Sequence, residues 1–395
     1  MTTPLPTADD VDLTRPGAPE ARATARAVAA LVAPSSGLTE VQRVLLEALW
    51  PAMTEHPVDL DDLDPPSPAE LGHILARRNL AFRTRGVQIM LLAALVLRPL
   101  PSDVVDRIAE TARELEVDDG MIEVARQFAA GALGLAAEDF QRNGYTADWA
   151  PQDTRELHTS VQLHEAWDVA VADPALAARW AALGDLPPGT LGRRVWEMYR
   201  ARGFEFPGSA GSAPPLLAQH DWVHVLADYG TTVESELEVF AFIARANDDM
   251  RAFSLLAMVV SLFETGYLST GAGLFEADPG HLSAGDSMAI RVADALRRGA
   301  WCRDRVRDSD SIDYLRVDWF ELAPLPLDEV RDRFSVRPKT AEAVDAGSVG
   351  PWEPGGISEF QTRSGRALAE REGRPYDSYG ASSSAPGETA SPPPN

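Results

Sequence analysis

An all-α fold follows from three features of the sequence. Apolar residues recur at helical spacing along most of the chain, helix-starting and helix-ending residues bracket those stretches, and no pair of alternating strands is found. Residues 1–36 are rich in Thr, Pro, Ala and Asp and read as a flexible tail with a short helix near Ala21 to Leu31. Thr39 followed by Gln42 is a capping box that opens an apolar stripe through Val41, Val44, Leu45 and Leu49. Val87 to Leu97 is apolar almost all round and predicts a central helix, ended by Pro99 and Pro101. Ser102 is placed to cap a helix carrying Val105, Ile108, Ala109 and Ala112, and Met121 to Leu133 predicts another.

These helices form a first block, residues 37–145. It resembles TerB-like helical domains in pattern and size, but the acidic residues that bind metal there have no match: Arg98-Pro99 stands where an acidic turn is expected. The block therefore reads as a packing or docking module. A second block, 146–342, begins with helices over Leu157 to Ala172 and Pro174 to Leu183. The turn Leu186-Pro187-Pro188-Gly189-Thr190 starts a helix through Val195, Met198 and Tyr199, which Gly203 ends. Ala252 to Phe263 is the most apolar run; it is too short to span a bilayer and reads as a core helix. Residues 343–395 are rich in Gly, Ser, Pro and Glu and predict a disordered acidic tail, unable to bury enough apolar surface to offset its ordering entropy.

Charge and cysteine usage narrow the function. A net charge of −24 argues against nucleic acid and against simple attachment to anionic lipid. The single cysteine, Cys302, excludes an intrachain disulfide framework and a cysteine-rich zinc module, and fits a reducing, cytoplasmic setting. As a nucleophile Cys302 is a poor candidate, having no histidine near it in sequence. Met1 to Asp10 lacks the basic and apolar regions of a signal peptide.

The chemistry concentrates in Gln219-His220-Asp221-Trp222-Val223-His224. On a helix, His220 and His224 project from one face, and Asp221 lies on an adjoining strip. The helix should end near Tyr229-Gly230, with Thr231 capping the next one and Glu234 in the capping-box position. A second helix packed against the first would bring Glu236 to the histidines. Two imidazoles and two carboxylates suit one divalent ion: zinc, iron, manganese or cobalt. The spacing alone leaves a structural histidine pair about as good a reading.

The motif His220-Asp221-Trp222-Val223-His224, then eleven residues, then Glu236, resembles the HDxxH–eleven–E motif of the coenzyme Q biosynthesis protein four family. Leu186 to Arg193 resembles that family's LPxGTxGR turn, and Tyr229-Gly230-Thr231 its YGT step. Arg297-Arg298-Gly299, Val317 to Phe320 and Pro326 to Arg331 resemble its RRG, DWE and PLxEVR segments, so that the likeness spans about residues 155–336. The resemblance implies a helical protein with His220, Asp221, His224 and Glu236 as ligands to one metal ion. It implies an apolar cavity for an isoprenoid chain, with Leu255, Leu256 and Val259 as candidate wall. The substrate implied is a prenylated aromatic acid or quinone-like lipid, and the reaction an oxidative decarboxylation of the ring. Contact with a membrane surface, with other quinone-pathway proteins or with a second copy of the chain would follow. The sequence departs from the family after Gly299 and at Phe320, where a glutamate is expected. A metal-stabilised lipid-binding scaffold without catalysis remains open. So does an HD-type phosphohydrolase, in which His158 or His164 and Asp248 or Asp249 would complete the site and Glu236 would lie away from it.

Overall fold

The computed structural model describes residues 16–60, 68–75, 78–97, 101–118, 139, 142–143, 172–247, 256, 259–260, 267–270, 273–276, 282, 287–305 and 313–379. The protein is all-α. Helices α1 (Ala18–Val32), α2 (Glu40–Thr54), α3 (Pro68–Leu75), α4 (Leu80–Leu95) and α5 (Ser102–Glu114) make up the first part. The capping box at Thr39 is formed, with the Gln42 side chain returning to the Thr39 backbone. Gln42 then crosses the core to the carbonyls of Val32 and Ala93, tying α2 to α1 and α4. Ser102 is the first residue of α5, and Pro101, with no side chain to cap, precedes it. The helices expected over Met121 to Leu133 and Leu157 to Ala172 lie outside the described residues.

The second part contains α6 (Pro174–Ala182), α7 (Leu191–Arg202), α8 (Ala218–Ala227), α9 (Val233–Ala246) and α10 (Ser287–Arg305), then α11 (Trp319–Leu322), α12 (Leu327–Arg333), α13 (Ala341–Asp345) and α14 (Glu359–Arg371). Thr190 caps α7 and Gly203 ends it in the left-handed region, as the turn residues predict. One short antiparallel ribbon, Tyr267–Thr270 with Gly273–Glu276, departs from the expectation of no strand pair. Among the described residues no helix is long and apolar enough to cross a membrane.

The first and second parts share one core. α10 packs on α2 as well as on α9, and one buried cluster runs from Ala25 in α1 to Phe334 after α12. Both expected tails are shorter than composition suggests. α1 buries Ala21, Ala25, Val28, Leu31 and Val32. In the C-terminal segment, Ser358 and Gln361 form a second capping box that starts α14, which packs against α7. The Gly, Ser and Pro there make turns against the body of the protein: Gly230 N–H donates to Val349 and Thr231 N–H to Gly356.

The α7–α14 contact is close enough to require glycine. A methyl group on Gly365 would collide with the carbonyl of Ala201, which also accepts from the Tyr376 hydroxyl at 3.0 Å. Gly365→Ala is expected to cost about 1–3 kcal/mol, the usual penalty of overpacking, read as a lower denaturant midpoint. An unchanged midpoint would mean that α14 does not dock on α7.

Candidate metal centre

The site is built on the end-to-end junction of α8 and α9. α8 carries His220 and His224 one turn apart, with Asp221 next to His220, all buried. Its C-terminus is held by cations, which suit the negative end of a helix. Arg298 donates to the carbonyl of Ala227, and Arg331 to those of Val225 and Leu226. Lys339 approaches Asp228, the left-handed C-cap, at 3.5 Å. Behind α8, Trp222 packs between Trp180 and Trp319, while Phe320 meets Trp222 edge-to-face and lies under Arg179. Phe320 thus fills an aromatic cluster where the resemblance would put a glutamate.

Thr232, not Thr231, caps α9, accepting from Ser235 N–H. Thr231 is buried instead and serves the junction: Arg202 donates to its hydroxyl, which donates to Gln361. One turn into α9, Glu236 faces α8, while Glu238 pairs with Arg291 of α10 at 2.7 Å.

Glu236 meets both histidines. Its Oε2 lies 3.3 Å from His220 Nε2 and 3.2 Å from His224 Nε2. The opposite ring nitrogens are committed: His224 Nδ1 bonds the carbonyl of Gly230 at 2.7 Å, and His220 Nδ1 bonds that of Leu217. A carbonyl only accepts, so each neutral ring carries its proton on Nδ1 and presents a lone pair at Nε2. Two lone pairs and a carboxylate oxygen then face one another in a buried space. Nε2 of His220, Oε1 of Glu236 and Oδ2 of Asp139 have no hydrogen-bond partner there among the described residues.

Asp139, which sequence reading missed, stands on the far side, 3.7 Å from His220 Nε2. It is held by Arg142 at 2.7 Å and Asn143 at 3.0 Å. Arg142 also forks onto Asp221, at 2.8 and 2.9 Å, and Asp221 accepts from the Tyr199 hydroxyl. Asn143 in turn accepts from Gln361 of α14 at 2.7 Å. The segment expected to be disordered therefore braces the site from behind. Asp139, His220 and Glu236, and likewise His220, Asp221 and His224, offer donor atoms within 4.8 Å of one another.

The field in this cluster is strongly negative. Three buried carboxylates, Asp139, Asp221 and Glu236, face one guanidinium, Arg142. Burial opposes a charged His220, but Asp221, Glu236 and Asp139 outweigh it and raise that imidazole to about 9. Burial and then Glu236 push Asp139 up to about 6. Against burial, Arg142 and then His220 hold Asp221 below the usual carboxylate range, and His224 does the same for Glu236.

Other expected residues fare differently. Leu256 and Val259 are buried in the main core, the plain reading of that helix, and Leu255 lies outside the described residues. His158, His164, Asp248 and Asp249 also lie outside them. The HD-type arrangement needs Glu236 away from the imidazoles, and it lies between them. Compared with protein-family models, curated proteins and solved structures, the chain gives no significant match in any of the three.

Cys302 is buried, its thiol donating to the Ser335 carbonyl, and burial raises it to about 11. Ellman's reagent at pH 8 is therefore expected to label the folded protein far more slowly than the unfolded one; equal rates would contradict that burial. Gln361→Leu removes partners from Asn143 and from Thr231. At about 1–3 kcal/mol for each buried group left unsatisfied, a loss of about 2–4 kcal/mol is expected in denaturant unfolding. A change below about 0.5 kcal/mol, the range of ordinary surface substitutions, would contradict the bracing role of α14.

Proposed function

We propose that this protein binds one divalent metal ion at the α8–α9 junction and uses it to act on a prenylated aromatic acid. The observation that carries the metal is the meeting of two Nε2 atoms with a carboxylate oxygen at 3.2 and 3.3 Å. Donors bound tetrahedrally at about 2.0–2.1 Å lie about 3.3–3.4 Å from one another, so little movement is needed. Charge agrees: three carboxylates against one guanidinium leave an excess that a divalent cation balances. The donor set of imidazole and carboxylate suits zinc, iron, manganese or cobalt.

The choice of substrate rests on the resemblance to the coenzyme Q biosynthesis protein four family. The segments that carry it meet around the site: Gly189 to Gly192 pairs with Ala323 to Leu327, and Arg298 and Arg331 cap the histidine helix. A bound divalent ion would supply a Lewis acid for the ring carboxylate and the neighbouring phenol oxygen. The chain would hold that ion through His220, His224 and Glu236. The Leu217 and Gly230 carbonyls keep both Nε2 atoms free to ligate, and Arg142 and Tyr199 hold Asp221 beside them. Overall, the aromatic acid, water and O₂ would give the phenol, CO₂ and hydrogen peroxide, with O₂ taking up the electron pair released at the ring.

A second reading, a metal-stabilised lipid carrier, is favoured by the mutual pairing of Arg142, Asp221 and Tyr199, which leaves no further acid–base pair free in the cluster. Protein purified without chelator is expected to hold about one metal ion per chain, lost in the His220→Ala/His224→Ala variant. Metal at about 1,000 times its Kd should stabilise the stripped protein by about 4 kcal/mol, and leave the variant unmoved. Unchanged metal content in the variant would sink the metal site. With carboxyl-labelled prenyl hydroxybenzoate and O₂, labelled CO₂ that depends on Glu236 supports catalysis. Tight binding of the lipid without CO₂ release supports the carrier.

A further inference from the structure

We propose that Asp139, and not Asp221, is the carboxylate that completes the metal site with His220, His224 and Glu236, and that Asp221 is a positioning residue. This rests on the metal reading above and assigns the fourth donor within it. Distance does not separate the two aspartates: Asp221 Oδ1 is 3.6 Å from His220 Nε2 and Asp139 Oδ1 is 3.7 Å away. Hydrogen bonding does. Arg142 forks onto both oxygens of Asp221, with Nη1 on Oδ2 at 2.8 Å and Nη2 on Oδ1 at 2.9 Å. Tyr199 donates to Oδ2 as well. A planar guanidinium matched to a carboxylate in this way is among the strongest neutralising pairs a protein makes, and its geometry fixes the carboxylate plane. Turning Asp221 toward an ion would break that fork inside the core and leave Arg142 with Asp139 alone as its carboxylate partner.

Asp139 is anchored on one oxygen only. Its Oδ1 accepts from Arg142 Nη2 and Asn143 Nδ2, whereas its Oδ2 is buried without a partner among the described residues. A carboxylate oxygen in that condition is costly to bury unless a cation takes it. Glu236 repeats the pattern, with Oε2 between the imidazoles and Oε1 buried and unpartnered. The braces of Asp139 come from two directions: Arg142 is oriented by its fork to Asp221, and Asn143 by Gln361 of α14. Asp221 thus acts on the ion through Arg142, which lies between the two aspartates.

A cysteine placed at a ligand position reports directly, because a thiolate on cobalt(II) gives a charge-transfer absorption in the near ultraviolet. The full-length protein has a single, buried cysteine, Cys302, so the background is clean. Asp139→Cys loaded with cobalt(II) is expected to show the band, and Asp221→Cys is not. In parallel, Asp139→Asn should weaken cobalt binding by more than about 100-fold, while Asp221→Asn should weaken it by about 10- to 100-fold, as for residues that support a ligand. These near-isosteric variants settle the matter if a cysteine variant fails to fold. The band in Asp221→Cys, alone or together with Asp139→Cys, would overturn the assignment. So would cobalt binding in Asp139→Asn equal to that of the wild type. Failure of the wild-type protein itself to bind cobalt would instead overturn the metal reading on which the assignment rests.

Discussion

Two backbone carbonyls decide what the site can be. Leu217 and Gly230 each accept a hydrogen bond from Nδ1 of a buried histidine, and this turns both Nε2 atoms toward Glu236. Everything around the junction keeps those carbonyls in place. Gly230 is pinned by Val349, Thr231 by Gly356 and Gln361, and the end of the histidine helix by Arg298 and Arg331. A protein does not need this much hardware to pack a histidine pair in a core.

Electrostatics gives the same answer from a different direction. Buried carboxylates survive in proteins when paired or metal-bound. Here one guanidinium serves two aspartates, and Glu236 lies against the two imidazoles. Without a metal, the cluster balances itself by holding a proton on His220, which is why that imidazole is raised to about 9 although burial works against it. A divalent cation would displace that proton and do the same work at the centre of the donors.

Local pattern made part of this legible. The His220–His224 pair shares a helical face by spacing alone, and the motif carried Glu236 with it; both stand where they were expected. The Thr231–Glu234 spacing points to Thr231 as the cap, but burial overrides it: Thr231 is drawn into the core by Arg202 and Gln361, and Thr232 caps α9. Asp139 left no signal, because it arrives from a distant segment with no spacing relation to the histidines. The C-terminal segment was misjudged through composition, although Ser358 and Gln361 repeat the capping-box signature that Thr39 and Gln42 had revealed. Weighting that local signal above the surrounding Gly, Ser and Pro would have found α14, and with it the brace behind Asp139.

Anomalous diffraction at the zinc edge, from crystals of the full chain grown with zinc, locates the ion directly. One anomalous peak is expected, between Nε2 of His220, Nε2 of His224 and the carboxylate of Glu236. Ordered imidazoles hydrogen-bonded to Glu236 with no peak among them, or zinc bound only elsewhere on the molecule, would contradict the metal centre.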